Sequence, residues 1–108
     1  IAGRYLERVT RELIQLRTLI DTAASGNLDM VREIEVLTHR MHGSGAMLQF
    51  NEISGFAGEL ERMSAGFLAS GKVDAPSMVA VFEQLQAAIA AACAARVSAD
   101  ADPARTFR

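Results

Sequence analysis

The sequence predicts an all-α fold, an antiparallel up-down-up-down four-helix bundle, on three observations. At about 100° of rotation per helical residue, four segments keep their apolar residues on one side over several turns. The breaks between them are short and mostly carry glycine, asparagine, aspartate or proline. No segment alternates with the period of two that a half-buried strand requires. Four helices of roughly 17 to 23 residues can each hide an apolar stripe only by packing together, and short links make neighbours antiparallel.

The first helix is expected over about Ala2 to Ala24. Tyr5, Val9, Leu13, Leu16 and Ile20 form its stripe, leaving Arg4, Glu7, Arg8, Arg11 and Arg17 mostly to solvent. Ser25-Gly26-Asn27 ends it, and Asn27 caps the second helix, with Asp29 placed where a carboxylate meets the positive end of the helix dipole. The second helix carries Met30, Ile34, Leu37, Met41 and Leu48 on a common face. The third, from Asn51 or Glu52 to Ala69, aligns Ile53, Phe56, Ala57, Leu60, Met63 and Phe67, and "SGKVD" closes it. Asp74 as cap and Pro76 in the first turn, where a missing N–H costs nothing, open the fourth. It runs to about Val97 with Met78, Phe82, Leu85, Ile89 and Ala92 as its stripe. Residues 1–97 therefore read as the bundle. Residues 98–108, "SADADPARTFR", are polar, aperiodic and broken at Pro103, and are expected to be a mobile tail or linker.

A single core suits 108 residues of which 50% are hydrophobic. With 11 basic and 13 acidic residues the net charge is -2, too mixed to hold nucleic acid or anionic lipid. Cys93 is the only cysteine, so no internal disulfide and no CxxC metal spacing exist, which suits a reducing cytoplasm. The longest apolar run, Ala87 to Ala95, falls short of the roughly 18 residues that cross a bilayer, and no membrane contact is expected. Because the chain opens on Ile1 without a leader pattern, it reads as a piece of something longer. The isolated domain is expected to be a monomer.

One stretch of the second helix, "LTHRMHGSGAMLQF", Leu37 to Phe50, breaks its own pattern. With the core stripe at zero, His39 lies about 180° away on the solvent face and His42 about 60° further round. Gly43 and Gly45 each cost about 1 kcal/mol relative to alanine inside a helix, and with Ser44 the triplet gives up roughly 2 kcal/mol. Side chains lean toward the helix N-terminus, so any residue at 43 would project over the turn of His39, and glycine leaves that ring uncovered. Two plainer readings stand beside this one: a helix that ends near His42 with "GSG" as cap and loop, and an ordinary exposed histidine. Leu48, returning to the stripe of Met41, favours a continuous helix.

Metal and nucleophilic chemistry find little support. The two histidines diverge, and Glu35 to His39 is i+4 rather than the Glu-x-x-His of di-iron bundles, so no metal is expected. Cys93 belongs near the core edge of the last helix, and no serine has an elbow-type context.

"HRMHGSGAML", His39 to Leu48, resembles the signature of the histidine phosphotransfer (HPt) domain family: an exposed helical histidine, any residue, an apolar one, usually lysine, then glycine and small residues. "EISGFAGELERM", Glu52 to Met63, is similar to the family's third helix, and the resemblance extends to about Val97. It implies that His39 is the phosphoacceptor, that Met41 faces the core and that Gly43 gives access. His42 departs from the pattern, standing where a lysine is usual; with an unperturbed pKa of about 6.5 it is only partly charged at neutral pH.

The implied function is that of a phosphorelay intermediate. His39 accepts a phosphoryl group from an aspartate on the receiver domain of a response regulator or hybrid sensor kinase, and passes it on reversibly. The chain has no Gly-rich nucleotide loop and no carboxylate cluster, so it is expected to bind no cofactor of its own, to lack autokinase activity and to rely on magnesium carried by the receiver. Glu35, one turn before His39, is placed to orient the ring or merely to make a surface contact. His42 and Ser44 are candidates to hold phosphoryl oxygens. Arg32, Val36, Arg40, Gly43 and Ala46 are candidates by angle for receiver docking. Gly55 and Gly58 lie off the third helix's stripe, either to allow close approach or by chance. The rival from another class is a non-catalytic HPt-like interaction module, which would need neither His39 nor Gly43.

Overall fold

The computed structural model describes residues 2–100, with side chains through residue 98. It consists of α1 (Ala2–Ala23), α2 (Leu28–Met47), α3 (Asn51–Ser70) and α4 (Ala75–Asp100). Each helix packs on its neighbours in sequence, and α4 closes the ring against α1, with α2 and α3 making the most extensive contact. This is the all-α four-helix bundle that the four stripes imply. Its core holds Val9, Leu16, Ile20, Ile34, Met41, Ile53, Leu60, Met78 and Leu85, all buried.

The stripes needed adjustment at their edges. On α2 the buried face is Val31, Ile34, Leu37, Thr38, Met41 and Gly45, with Met30 and Leu48 only half-buried beside it. A 20-residue helix flanked by two others needs a face wider than one row, so Leu6, Leu19 and Ala23 are likewise buried on α1. Phe56, Met63 and Phe67 of α3 sit half-buried on the core's rim. Thr38 tolerates full burial because its Oγ1 donates to the Ile34 carbonyl at 2.7 Å.

The caps explain the breaks. Asn27 Oδ1 accepts from the backbone N–H of Asp29 and Met30 at 3.1 and 3.3 Å, and Asp74 accepts from the N–H and hydroxyl of Ser77. Gly71, at φ +74, ends α3 with its N–H on the Phe67 carbonyl. The expected end of α4 at Val97 is three residues short: the helix continues through Asp100, and 101–108 of the expected tail lie outside the described residues.

Where α2 ends decides the reading of "GSG". The triplet is helical, and the chain turns after it. Phe50 N–H donates to the Gly45 carbonyl at 2.8 Å and Gln49 N–H to that of Ala46 at 3.2 Å, the paired bonds of a Schellman motif. The left-handed residue is Gln49, at φ +66, not a glycine. A side chain in that conformation costs about 1 kcal/mol or more, so Gln49→Gly is expected to raise stability by about 0.5–1 kcal/mol despite the greater freedom of its unfolded chain, seen as a higher denaturant midpoint at unchanged slope.

Tyr5 fastens this end of α2 to α1. Its hydroxyl donates to the Met41 carbonyl at 3.2 Å and its ring stacks on Phe50 at 5.3 Å between centroids. Burial pushes the phenol up to about 12, with Arg8 over the ring acting in the opposite sense. Because the folded value lies above the unfolded 10.0, this contribution to stability is complete below pH 10 and is lost as pH rises toward 12. Tyr5→Phe is expected to cost about 1 kcal/mol at pH 8, a deficit that narrows in urea titrations at pH 11.

The absence of a long continuous apolar run does not describe α4 fully. Over Ala75–Ser98 the helix is long and apolar enough to cross a bilayer by length and composition, with a mean hydropathy of 1.5, because dispersed alanines lift the average where no continuous run does. A third of that window is buried in the bundle, and Met78, Phe82, Leu85 and Ile89 face the core.

Candidate functional site

His39 stands on the outer face of α2, its side chain 71% exposed. The residues around it come from two helices. Across the α2–α3 seam, Glu61 Oε2 lies 2.7 Å from His39 Nδ1, and the glutamate is only 26% exposed. A carboxylate can only accept, so Nδ1 carries the proton and donates. In the neutral ring this bond selects one tautomer, the one with Nε2 as the unprotonated nitrogen, and Nε2 has no hydrogen-bond partner among the described residues.

Glu35 does not take the orienting part considered for it. Although one turn away, it makes no hydrogen bond or ion pair with His39 among the described residues; the carboxylate comes from the neighbouring helix. Packing brings Glu61 across a separation of 22 residues, which no spacing within α2 reveals. One signal pointed toward it. Gly58, off the α3 stripe and three residues before Glu61, marks a face kept bare for a neighbour, and it is buried.

That neighbour is His42. Its Nδ1 lies 2.8 Å from the Ser54 carbonyl and 3.1 Å from Ser54 Oγ, while Ser54 Oγ donates to the His42 carbonyl at 2.9 Å. With the hydroxyl proton given to that carbonyl, Nδ1–H is shared between the two serine oxygens. A Cβ on Gly58 would sit 2.8 Å from His42 Nδ1. His42 is therefore built into the α2–α3 seam as a packing residue, and the nitrogen facing α3 is already engaged. Gly55, by contrast, faces open space.

The "GSG" triplet separates into three different roles. A Cβ on Gly43 would meet nothing within 4 Å, so no packing constraint requires glycine there. A Cβ on Gly45 would sit 2.9 Å from the Tyr5 hydroxyl and 3.2 Å from the Ser54 backbone nitrogen, so the bare backbone lets α2 approach both neighbours. Ser44, half-buried, faces a groove against α1 lined by Arg4, Tyr5, Arg8, Arg11 and Met47, not the α3 seam where Glu61 holds His39. The part considered for it as an oxygen contact finds no support in this placement.

The surface beside His39 on the α1 side is partly apolar. Val36 and Met47 are 60% and 83% exposed, and Ala46 is exposed as well. The two basic candidates for docking are already engaged: Arg32 with Asp29 at 2.8 Å, and Arg40 with Glu12 of α1 at 3.9 Å. The Arg32–Asp29 pair is exposed, is worth about 0–1 kcal/mol and opens readily, while Arg40 keeps an exposed guanidinium and makes only a long contact to the largely buried Glu12. No three histidine, cysteine, aspartate or glutamate side chains come together as a metal site among the described residues.

A family model described as Hpt domain matches residues 2–95. Neither the curated proteins nor the solved structures compared with the chain gave a significant match.

Proposed function

The chain belongs to the Hpt domain family, whose members carry phosphoryl groups on histidine in two-component signalling, and from that premise we propose that His39 is the phosphoacceptor of a cytoplasmic phosphorelay. One observation carries this reading above all: on a histidine side chain 71% exposed, the Nδ1–H bond to Glu61 leaves Nε2 of the neutral ring as a lone pair.

In the proposed reaction the Nε2 lone pair attacks the phosphorus of an aspartyl phosphate on a receiver domain. The P–O bond to the aspartate breaks and its electron pair leaves with the carboxylate. The proton on Nδ1 stays in place, and the negative charge of Glu61 offsets the positive charge the ring acquires. This is the part a buried carboxylate plays behind a catalytic histidine. The reverse attack by an aspartate returns the phosphoryl group. Little bond chemistry is asked of this chain beyond a positioned nucleophile; magnesium and the acid pocket come with the receiver.

The docking surface follows from exposure. Val36, Met47, Ala46 and the open backbone at Gly43 give the receiver an apolar footing, with Arg32 and Arg40 at its edge. The domain acts as a monomer. A pure interaction module would gain nothing from a histidine fixed in one tautomer. The test is to mix the domain with a receiver phosphorylated on aspartate and follow transfer of a label that is acid-labile and base-stable. No such label with several receivers would sink the proposal.

A further inference from the structure

We propose that Arg62 supplies the fixed positive charge for the phosphoryl group that position 42 does not, an inference that rests on His39 being the acceptor. The need arises from His42. It occupies the position next to His39 where a permanent charge would serve best, yet its imidazole is tied to Ser54 and carries full charge only when protonated.

Arg62 is the residue after Glu61 on α3, and its side chain folds back over Gly58. The point where a Gly58 Cβ would lie is 3.4 Å from an Arg62 guanidinium nitrogen and 2.8 Å from His42 Nδ1, so the two groups are within about 6 Å of each other. Gly58 thus clears room for an imidazole and a guanidinium at one place on the seam. Position sets Arg62 apart. Arg32 and Arg40 turn toward Asp29 on α2 and Glu12 on α1, whereas Arg62 stands next to Glu61 on the α3 side of the seam and makes no ion pair among the described residues.

A phosphorylated His39 would add about two negative charges within reach of this side chain. Arginine stays charged at any working pH and presents a planar fork that fits phosphate oxygens, and its long exposed side chain, one residue from the glutamate that holds His39, is the means by which the charge would reach the phosphoryl group. Screening by solvent keeps the effect moderate, because the guanidinium is exposed.

The experiment uses potassium phosphoramidate, which transfers its phosphoryl group to histidine with loss of ammonia and needs no receiver, and follows the product by phosphorus NMR. His39→Gln identifies the His39 resonance. Arg62→Gln is expected to raise the pH at which the phosphoryl group takes up its proton by about 0.5 unit, and to lower the phosphohistidine fraction at equilibrium with a phosphorylated receiver about threefold. Arg62→Lys should retain most of both effects, and His42→Lys in the Arg62→Gln background should restore them. A merely structural arginine would leave the titration unmoved. Identical titration curves for the unmutated domain and Arg62→Gln, with normal labelling of His39, would overturn the role of Arg62 alone. Labelling by phosphoramidate without transfer from any receiver would instead overturn the phosphorelay reading and leave the titration to decide on Arg62; no label on His39 from either donor would overturn both.

Discussion

His39→Gln is expected to abolish phosphoryl acceptance while changing folding stability by no more than about 0.5 kcal/mol, because the side chain is largely exposed and its one hydrogen bond among the described residues, to Glu61, lies at the edge of the seam. The two readings, label and denaturant midpoint, therefore separate chemistry from structure in a single variant. Glu61→Ala tests the second half of the site. The ring would keep its nucleophilic nitrogen but lose the carboxylate that selects the tautomer and offsets the developing charge. Loss of the equivalent carboxylate from a buried triad costs about four orders of magnitude in rate. Here water can replace Glu61 at an exposed ring, so a fall of about ten- to a hundredfold in the transfer rate is expected, with Glu61→Gln in between because the amide still accepts a hydrogen bond. An unchanged single-turnover rate in Glu61→Ala would reduce the contact to an incidental surface pair.

The two glycines of "GSG" are expected to respond with opposite sign. At Gly45, a methyl group meets the Tyr5 hydroxyl at 2.9 Å and Ser54 backbone atoms at 3.2 and 3.3 Å. Backbone cannot yield as a flexible side chain does, so α2 must move from α3. Overpacking of this kind costs about 1–3 kcal/mol, which outweighs the roughly 1 kcal/mol that alanine gains in helix propensity. Gly45→Ala should therefore destabilise by up to about 2 kcal/mol and shift the seam that aligns Glu61 with His39. At Gly43 the added methyl meets nothing, so Gly43→Ala should stabilise by about 0.5–1 kcal/mol. A position that gives up stability with no packing reason is consistent with selection for access to His39, and the same variant should slow transfer from a receiver. Equal and positive stability changes at both positions would refute the packing argument for Gly45.

The same stretch shows how far a sequence can be read. The exposure of His39 followed from its angle to Ile34, Leu37 and Met41, and the open backbone at Gly43 from the lean of helical side chains; both depend only on the geometry of one helix. The engagement of His42 with Ser54 could not be read that way. On α2 alone it is a neighbour of His39, and only the position of Ser54 and Gly58 on α3 turns its ring into part of the seam. Gln49 was hidden for a related reason. A helix end is usually announced by glycine, and here the left-handed position is held by a glutamine while the glycines nearby serve packing and access.

What this sequence determined by itself is the set of four helices, the bundle they must form and the face on which His39 stands. Each of these rests on local periodicity, which hydrophobic burial enforces regardless of how the helices are later aligned. What only the tertiary structure decided is which residues meet His39 and His42: Glu61 rather than Glu35, Ser54 on the ring of His42, and Arg62 beside it. Those contacts depend on how far α3 slides and rotates against α2. That register is set by two close approaches at Gly45 and Gly58, where the absence of a side chain carries information only once the opposing helix is in place.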